Sequence, residues 1–346
     1  MQGVELLKRL DPDLSRFLWS TSPFGSDVPM STALQSYRGI SRQAASALLG
    51  RLAKGGLLAQ GRGQRPKTYE QRILAAYRKS YPLAELEEHV VWARDLRPGF
   101  EQFMGKEALE IWDYGFTEML NNAIDHSQGE SVTVTVTVRA GGTLCYISDD
   151  GEGIFRRIAR LCNLPDERQA ILELAKGKLT TDPENHSGEG VFFSSKAFDI
   201  YRITSGGLVF SHKDGEDDFL FERDASSVGT TVLMGHGNHS KRSLKQVFDE
   251  FAAPDEYTFS KTVVPVRLAR IGAESLVSRS QAQRLLARID RFKTVLFDFQ
   301  DVETIGQAFA DEIFRVYANS HPEVELMPVN ASEQVRQMIA RAKALR

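Results

Sequence analysis

The chain has 346 residues, 42% hydrophobic and 26% charged, with a net charge of −3, a balance that fits an ordinary soluble protein of two or three domains. No apolar run is long enough to span a bilayer and no basic-then-apolar leader argues for export, so a cytoplasmic protein without a membrane partner is expected. The two cysteines, Cys145 and Cys162, lack metal-ligand spacing and read as reduced thiols; no internal repeat or low-complexity tract is present.

In chain order, the first segment is locally basic. Between Val28 and Tyr69 there is no Asp or Glu, whereas Arg38, Arg42, Arg51, Lys54, Arg62, Arg65 and Lys67 all fall there. A short helix is predicted over Met30–Tyr37. Ser41 is a suitable N-cap for a second helix, Arg42–Lys54, whose Ala45, Leu48, Leu49 and Leu52 share a side. Gly55-Gly56 stops it, Leu57-Leu58 begins a strand, and residues 61–69 form a basic loop. This order resembles a winged helix-turn-helix. The resemblance implies double-stranded DNA as partner, with Ser41, Arg42 and Gln43 in a major groove and Arg62, Arg65 and Lys67 on phosphates; a winged helix used for protein contacts is the alternative. Glu70–Lys79 reads as a helix leaving this domain, with a junction near Tyr81-Pro82, and His89 lies in HVVWARDL, which reads as a strand.

The central stretch begins with a helix, Ile111 to His126, on which Glu118 and Asn122 lie one turn apart. Ser131–Val138 alternates Val with Thr and reads as a half-buried strand. A second strand, Thr143–Ile147, follows the Gly141-Gly142 turn, and the pair ends in Ser148-Asp-Asp-Gly-Glu-Gly-Ile. Helices are predicted at Phe155–Leu161 and Pro165–Lys176. A polar stretch holding Lys178 and His186 then leads to Gly188-Glu-Gly190 and a helix from Val191. Strands at Ile200–Thr204, Gly207–His212, Phe219–Glu222 and Gly229–Met234 follow, then a helix over Asn238–Phe251.

A carboxylate and a carboxamide on one helical side, then two strands and DxGxG, suggest a nucleotide site with a metal. Four motifs, Glu118–Ala123 (ExxxNA), Asp149–Gly153 (DxGxG), Gly188–Gly190 (GxG) and Gly229-Thr230 (GT), resemble those of the GHKL ATPase superfamily. The resemblance implies ATP and Mg²⁺ as cofactors. It makes Asp149 the acceptor for the adenine amine, with Thr230 sharing a water with it, and has Gly151 and Gly153 leave room for base and ribose. Asn122 becomes the Mg²⁺ ligand, with Asp125 further along the same helix, and Glu118 orients or activates the attacking water. Gly188 and Gly190 open a phosphate-cradling helix; Val191 and Phe192 stand where the family has Leu-Gly, a departure at the phosphate end. The superfamily includes histidine kinases, but no upstream helix carries a phospho-acceptor His. Relatives commonly dimerise, which makes a homodimer an expected state.

The last segment alternates strands (Thr262–Leu268, Thr294–Phe299, Glu323–Pro328) with helices (Ser278–Ile289, Gly306–Asn319, Ser332–Ala344). Residues 295–311 resemble a STAS-like (DUF4325-type) domain, related to anti-anti-sigma factors, which implies a regulatory protein partner. Where phosphorylatable members have a Ser at the start of a helix, Gly306–Ala308 offers no hydroxyl.

The expected fold is therefore multidomain α/β: a winged helix (1–80), a GHKL sandwich of helices on a mixed sheet (81–252) and a small STAS-like α/β domain (253–346). The expected activity is slow ATP hydrolysis in a regulator that couples nucleotide state to DNA and partner binding. A serine/threonine protein kinase of anti-sigma type and a nucleotide-bound scaffold without turnover are the alternatives.

Overall fold

The computed structural model describes residues 2–21, 28–61, 68–179, 188–214, 218–253, 256–270 and 275–344. The chain divides into two compact units. One comprises Met1–Gly151, Ala197–Tyr201 and Thr231–Leu244; the other comprises Glu152–Lys196, Arg202–Thr230 and Lys245–Arg346.

The first unit opens with helices α1 (Gln2–Lys8), α2 (Pro12–Ser20), α3 (Met30–Arg38) and α4 (Arg42–Lys54). Gly39, at φ +61°, ends α3 in the left-handed conformation that a residue without Cβ adopts cheaply. Ser41 caps α4, its hydroxyl accepting from Ala44 N, and Ala45, Leu49 and Leu52 are its buried side. Strands β1 (Leu58–Gln60) and β2 (Tyr69–Gln71) pair antiparallel.

The helix expected over Glu70–Lys79 does not form. Strand β3 (Ala75–Pro82) pairs antiparallel with β4 (Ser131–Val138), so the expected domain junction at residues 80 and 81 falls inside a strand. Long-range pairing overrides local preference here, and the period-2 signal is Tyr77, Lys79 and Tyr81, all of which donate to Asp95. Bonds from Arg94 first, then from Lys79 and Tyr81, hold the Asp95 carboxyl well below the usual carboxylate range. Asp95 itself lies in the segment expected as a strand, which is instead helical. Helix α5 (Glu88–Val90) passes through a π-helical turn, Val91–Leu96, into α6 (Arg97–Phe100). Val91, Trp92 and Leu96 are its buried residues, and the Trp92 and Phe116 ring centroids are 5.6 Å apart.

Helix α7 (Lys106–His126) starts a turn earlier than expected and packs on β5 (Gly142–Asp149), with Phe116, Leu120 and Ala123 among its buried residues. The β4–β5 hairpin forms as predicted, with Val132, Val134, Val136 and Val138 buried and the threonines on the other face. Its two glycines answer to a packing demand invisible in the sequence. A Cβ on Gly141 would lie 2.5 Å from Trp19 N, and one on Gly142 2.2 Å from the Trp19 ring and 2.7 Å from the His236 carbonyl oxygen. Gln71 adds bonds to Leu18 O (2.6 Å) and from Gly141 N (2.9 Å), so α2 is seated on the hairpin. Gly142→Ala is expected to lower stability by about 1–3 kcal/mol, measured by urea unfolding, because the added methyl meets ring and backbone atoms.

In the second unit, α8 (Ile154–Leu161), α9 (Glu167–Lys176) and α10 (Gly190–Ala197) follow in order. The four strands expected after α10 are two long ones, β6 (Ile200–Lys213) and β7 (Phe219–Gly237), each running through both units. They complete a five-stranded sheet of order β3-β4-β5-β7-β6. Where a mixed sheet was expected, the pairings among β3, β4, β5 and β7 are antiparallel.

Helix α11 (Leu244–Phe251) and the short pair β8 (Ala252–Ala253) and β9 (Glu256–Phe259) lead into the carboxy-terminal α/β layer. It contains β10 (Lys261–Pro265), α12 (Arg279–Leu286), β11 (Thr294–Asp298), α13 (Gln307–Asp311), α14 (Ala318–Ser320), β12 (Glu325–Val329) and α15 (Glu333–Ala344). A π-helical turn, Glu312–Tyr317, joins α13 to α14. The sheet β10-β11-β12 is parallel throughout. Ser278 and Gln281 form a reciprocal capping box at the start of α12. The strand expected to run to Leu268 stops at Pro265 and turns into a 3-10 segment. Lys176, 1% exposed at the end of α9, donates to Glu173 Oε1 (2.7 Å) and to the Arg284 and Ala287 carbonyls (2.9 Å each), while Thr262 Oγ1 donates to its carbonyl (2.6 Å).

Candidate functional site

In the first unit, Glu118 and Asn122 are half-buried along α7 and Asp125 is exposed near its end. Asn122 Nδ2 is buried and, among the described residues, has no hydrogen-bond partner, a state that costs about 1–3 kcal/mol unless a ligand or a water satisfies it. Beside Glu118, Tyr201 donates to Met119 Sδ (2.9 Å); burial, then Tyr114 and Glu118, push the Tyr201 hydroxyl well above its usual range.

Asp149 ends β5 half-exposed, and its Oδ1 accepts from Gly151 N (3.0 Å), closing the turn. Asp150 is spent on structure. Its oxygens accept from Glu130 N (2.8 Å), Ser131 N (3.0 Å) and Ser131 Oγ (2.7 Å), and these bonds hold its carboxyl below the usual range. A Cβ on Gly151 would lie 2.0 Å from Ser127 O, the residue capping α7. Glycine thus lets the Asp149 turn press against the end of the helix that carries Glu118 and Asn122.

In the second unit, Gly153 has φ +94°, and a Cβ there would lie 2.5 Å from Ser205 Oγ. Gly153 leaves α8 without a side-chain cap, and Thr230 supplies one: its buried hydroxyl accepts from Ile154 N (2.9 Å). Ser205 Oγ donates to Gly229 O (3.1 Å). The second half of DxGxG and the GT pair therefore meet, and Thr230 caps α8. Ser205 had no sequence signal, since no spacing relates it to Gly153. Glu152, between the two glycines, takes a two-pronged bond from Arg160 (2.9 and 2.7 Å) that lowers its pKa.

Gly188, at φ +72°, precedes α10, which begins at Gly190 with Val191 half-buried. Phe192 is buried, with ring centroids 4.9 Å from Phe251 and 4.6 Å from Phe259. Its side chain belongs to the core, so any ligand contact falls to its backbone. Lys178, in the polar stretch after α9, lies over the Phe259 and Phe292 rings and donates to Arg291 O (3.1 Å); burial lowers its pKa. His186 lies outside the described residues.

Of the residues expected at DNA, Ser41, Arg42 and Gln43 are exposed at the start of α4, with the Ser41 hydroxyl already engaged as the cap. Arg38 is paired with Asp11, which partly neutralises the basic segment. Arg62, Arg65 and Lys67 lie outside the described residues.

Among the described residues no group of three or more His, Cys, Asp or Glu side chains is placed to hold a metal. No helix among them is long and apolar enough to cross a membrane. Residues 281–336, from α12 into α15, match the family model described as a STAS-like domain of unknown function (DUF4325). No curated protein and no solved structure matches the chain. The protein is thus a multidomain α/β protein with a STAS-like domain at its carboxy-terminal end.

Proposed function

We propose that the chain is a nucleotide-dependent regulator, in which a GHKL-type ATP-binding domain is flanked by a winged helix that binds DNA and a STAS-like domain that binds a partner protein. The observation that carries this reading is the unpartnered buried amide of Asn122 on α7, one turn from Glu118, with the Asp149 turn pressed against the end of the same helix. The residues fit Mg²⁺ and ATP. Magnesium takes one or two side-chain oxygens and completes its shell with phosphates and water, so a three-residue protein cluster is not required. Asn122 Oδ1 would be the ligand and Nδ2 a donor to phosphate, with Glu118 orienting water and Asp149 accepting from adenine.

On the amino-terminal side, α3, the capped α4 and the β1–β2 pair support the winged-helix reading, with Arg42 and Gln43 exposed at the helix start. The STAS-like match supports regulation through a protein partner. It also favours a second reading, a protein kinase of anti-sigma type; Gly306 at the start of α13 offers no hydroxyl to accept phosphate in cis. Incubation of the full chain with γ-labelled ATP and Mg²⁺ separates the readings. Free labelled phosphate is expected. Label retained on protein would make it a kinase, and bound ATP without turnover would leave a scaffold.

A further inference from the structure

We propose that the STAS-like domain holds α10, the helix opened by the Gly188–Gly190 motif, inside its own cooperative unit, and thereby regulates that end of the proposed nucleotide site. The regulatory clause rests on the nucleotide reading above; the shared unit stands on packing within the second unit alone.

A boundary between independent domains runs through exposed chain that few contacts cross. The chain here does the opposite. Phe251, at the end of α11, and Phe259, just before β10, are 4% and 6% exposed. Phe192 and Phe193, in the first turn of α10, close on both. The Phe192 ring centroid lies 4.9 Å from Phe251 and 4.6 Å from Phe259, and that of Phe193 lies 4.9 Å from Phe259 and 4.4 Å from Phe248. Phe259 passes the stack on to buried Phe292, 5.2 Å away, which falls within the residues matched to the STAS-like family and precedes β11. These spacings are those at which aromatic rings attract. Gly177, after α9, has φ +81°, and a Cβ there would lie 2.8 Å from the Phe259 ring and 3.0 Å from that of Phe192, so glycine lets the stack close.

The other end of α10 is tied to the same domain by polar links. Lys196 donates to the buried Asp218 carboxylate (3.3 Å), which is also paired with His212. The Asp218 carbonyl accepts from Arg267, in the 3-10 segment after β10, and Arg267 pairs with Asp301 (3.1 Å), beyond β11. Helix α9 is fastened similarly: Lys178 donates to Arg291 O (3.1 Å), and Arg291 donates back to Lys178 O (2.9 Å). Elements that share buried partners open together. Loosening the STAS-like core therefore loosens α10, and by linkage a ligand held at α10 shifts the stability of the STAS-like domain in return.

Amide hydrogen exchange read by mass spectrometry tests the joint without nucleotide. Ile313→Val trims a fully buried side chain in the π-helical turn of the STAS-like domain. It is expected to speed exchange in α10 by the same factor as in β11, about 2- to 12-fold, the range for such a core change. Phe259→Leu cuts the stack, and in that background Ile313→Val should speed β11 while α10 no longer follows. Arg267→Gln, which cuts the polar link at a largely buried guanidinium, takes its place in the cycle if Phe259→Leu does not fold. An α10 indifferent to Ile313→Val would overturn the proposal, as would an acceleration that survives the cut joint. Calorimetry adds the regulatory arm: Ile313→Val is expected to weaken Mg·ATP binding by up to the same factor. Unchanged affinity would overturn the regulatory clause. A parent chain that binds no ATP would instead overturn the nucleotide reading, with the joint decided by exchange.

Discussion

Asn122→Ala is expected to weaken Mg·ATP binding about 10- to 100-fold, the scale on which metal-site affinity responds to loss of a supporting group, while leaving the melting temperature nearly unchanged. The amide Nδ2 has no partner among the described residues, so its removal breaks no described hydrogen bond and relieves a buried polar group. Glu118→Gln should behave differently. It keeps the shape and half-buried position of the side chain on α7 but removes its charge, so binding should persist while hydrolysis falls by about 10²- to 10⁴-fold, the usual contribution of a positioned base. Calorimetry for affinity and phosphate release for turnover separate the two. Equal losses of both quantities in both variants would place the two residues outside the roles assigned to them.

Glu173→Ala is expected to destabilise the second unit by about 3–5 kcal/mol, because it leaves the Lys176 ammonium buried without its counter-charge. Lys176 is 1% exposed and bonded to Glu173 and to two carbonyls at the end of α12. Lys176→Met should cost less, since it removes the buried charge along with the pair. The effect of pH distinguishes this account from simple loss of packing. Burial lowers the folded pKa of Lys176 below its ordinary 10.5, so between the two values the unfolded chain binds more protons and stability rises with pH. Without Glu173 the folded pKa falls further and that window widens downward. The deficit of Glu173→Ala should therefore narrow as pH rises from about 7 toward 10, as read by urea unfolding. A deficit constant over this range would mean the ammonium is not what the variant exposes.

What was legible in the sequence had a local cause. The Ser41 cap, the Val-Thr alternation of β4 and the alternating strands and helices at the end of the chain all came from spacing alone, and the structure has each of them. What escaped depended on distant partners. Residues 75–82 form a strand because β4 lies alongside, and the helical path through Val91–Leu96 puts Asp95 where Tyr77, Lys79 and Tyr81 converge. The glycines misled for the same reason. Gly141 and Gly142 admit Trp19 from more than a hundred residues upstream, Gly151 admits Ser127 O, and Gly153 admits Ser205 Oγ. For the candidate site, the order of motifs identified α7, the β5 turn and the Gly229-Thr230 pair. The cap that Thr230 gives α8 and the support from Ser205 became visible only in three dimensions.

The central claim, that this chain binds an adenine nucleotide with magnesium, is tested most directly by calorimetric titration of ATP into the 346-residue chain with and without Mg²⁺. A saturable heat at one site per chain, strengthened by Mg²⁺ and competed by ADP, is the predicted result. No heat up to millimolar ATP with Mg²⁺ would contradict it.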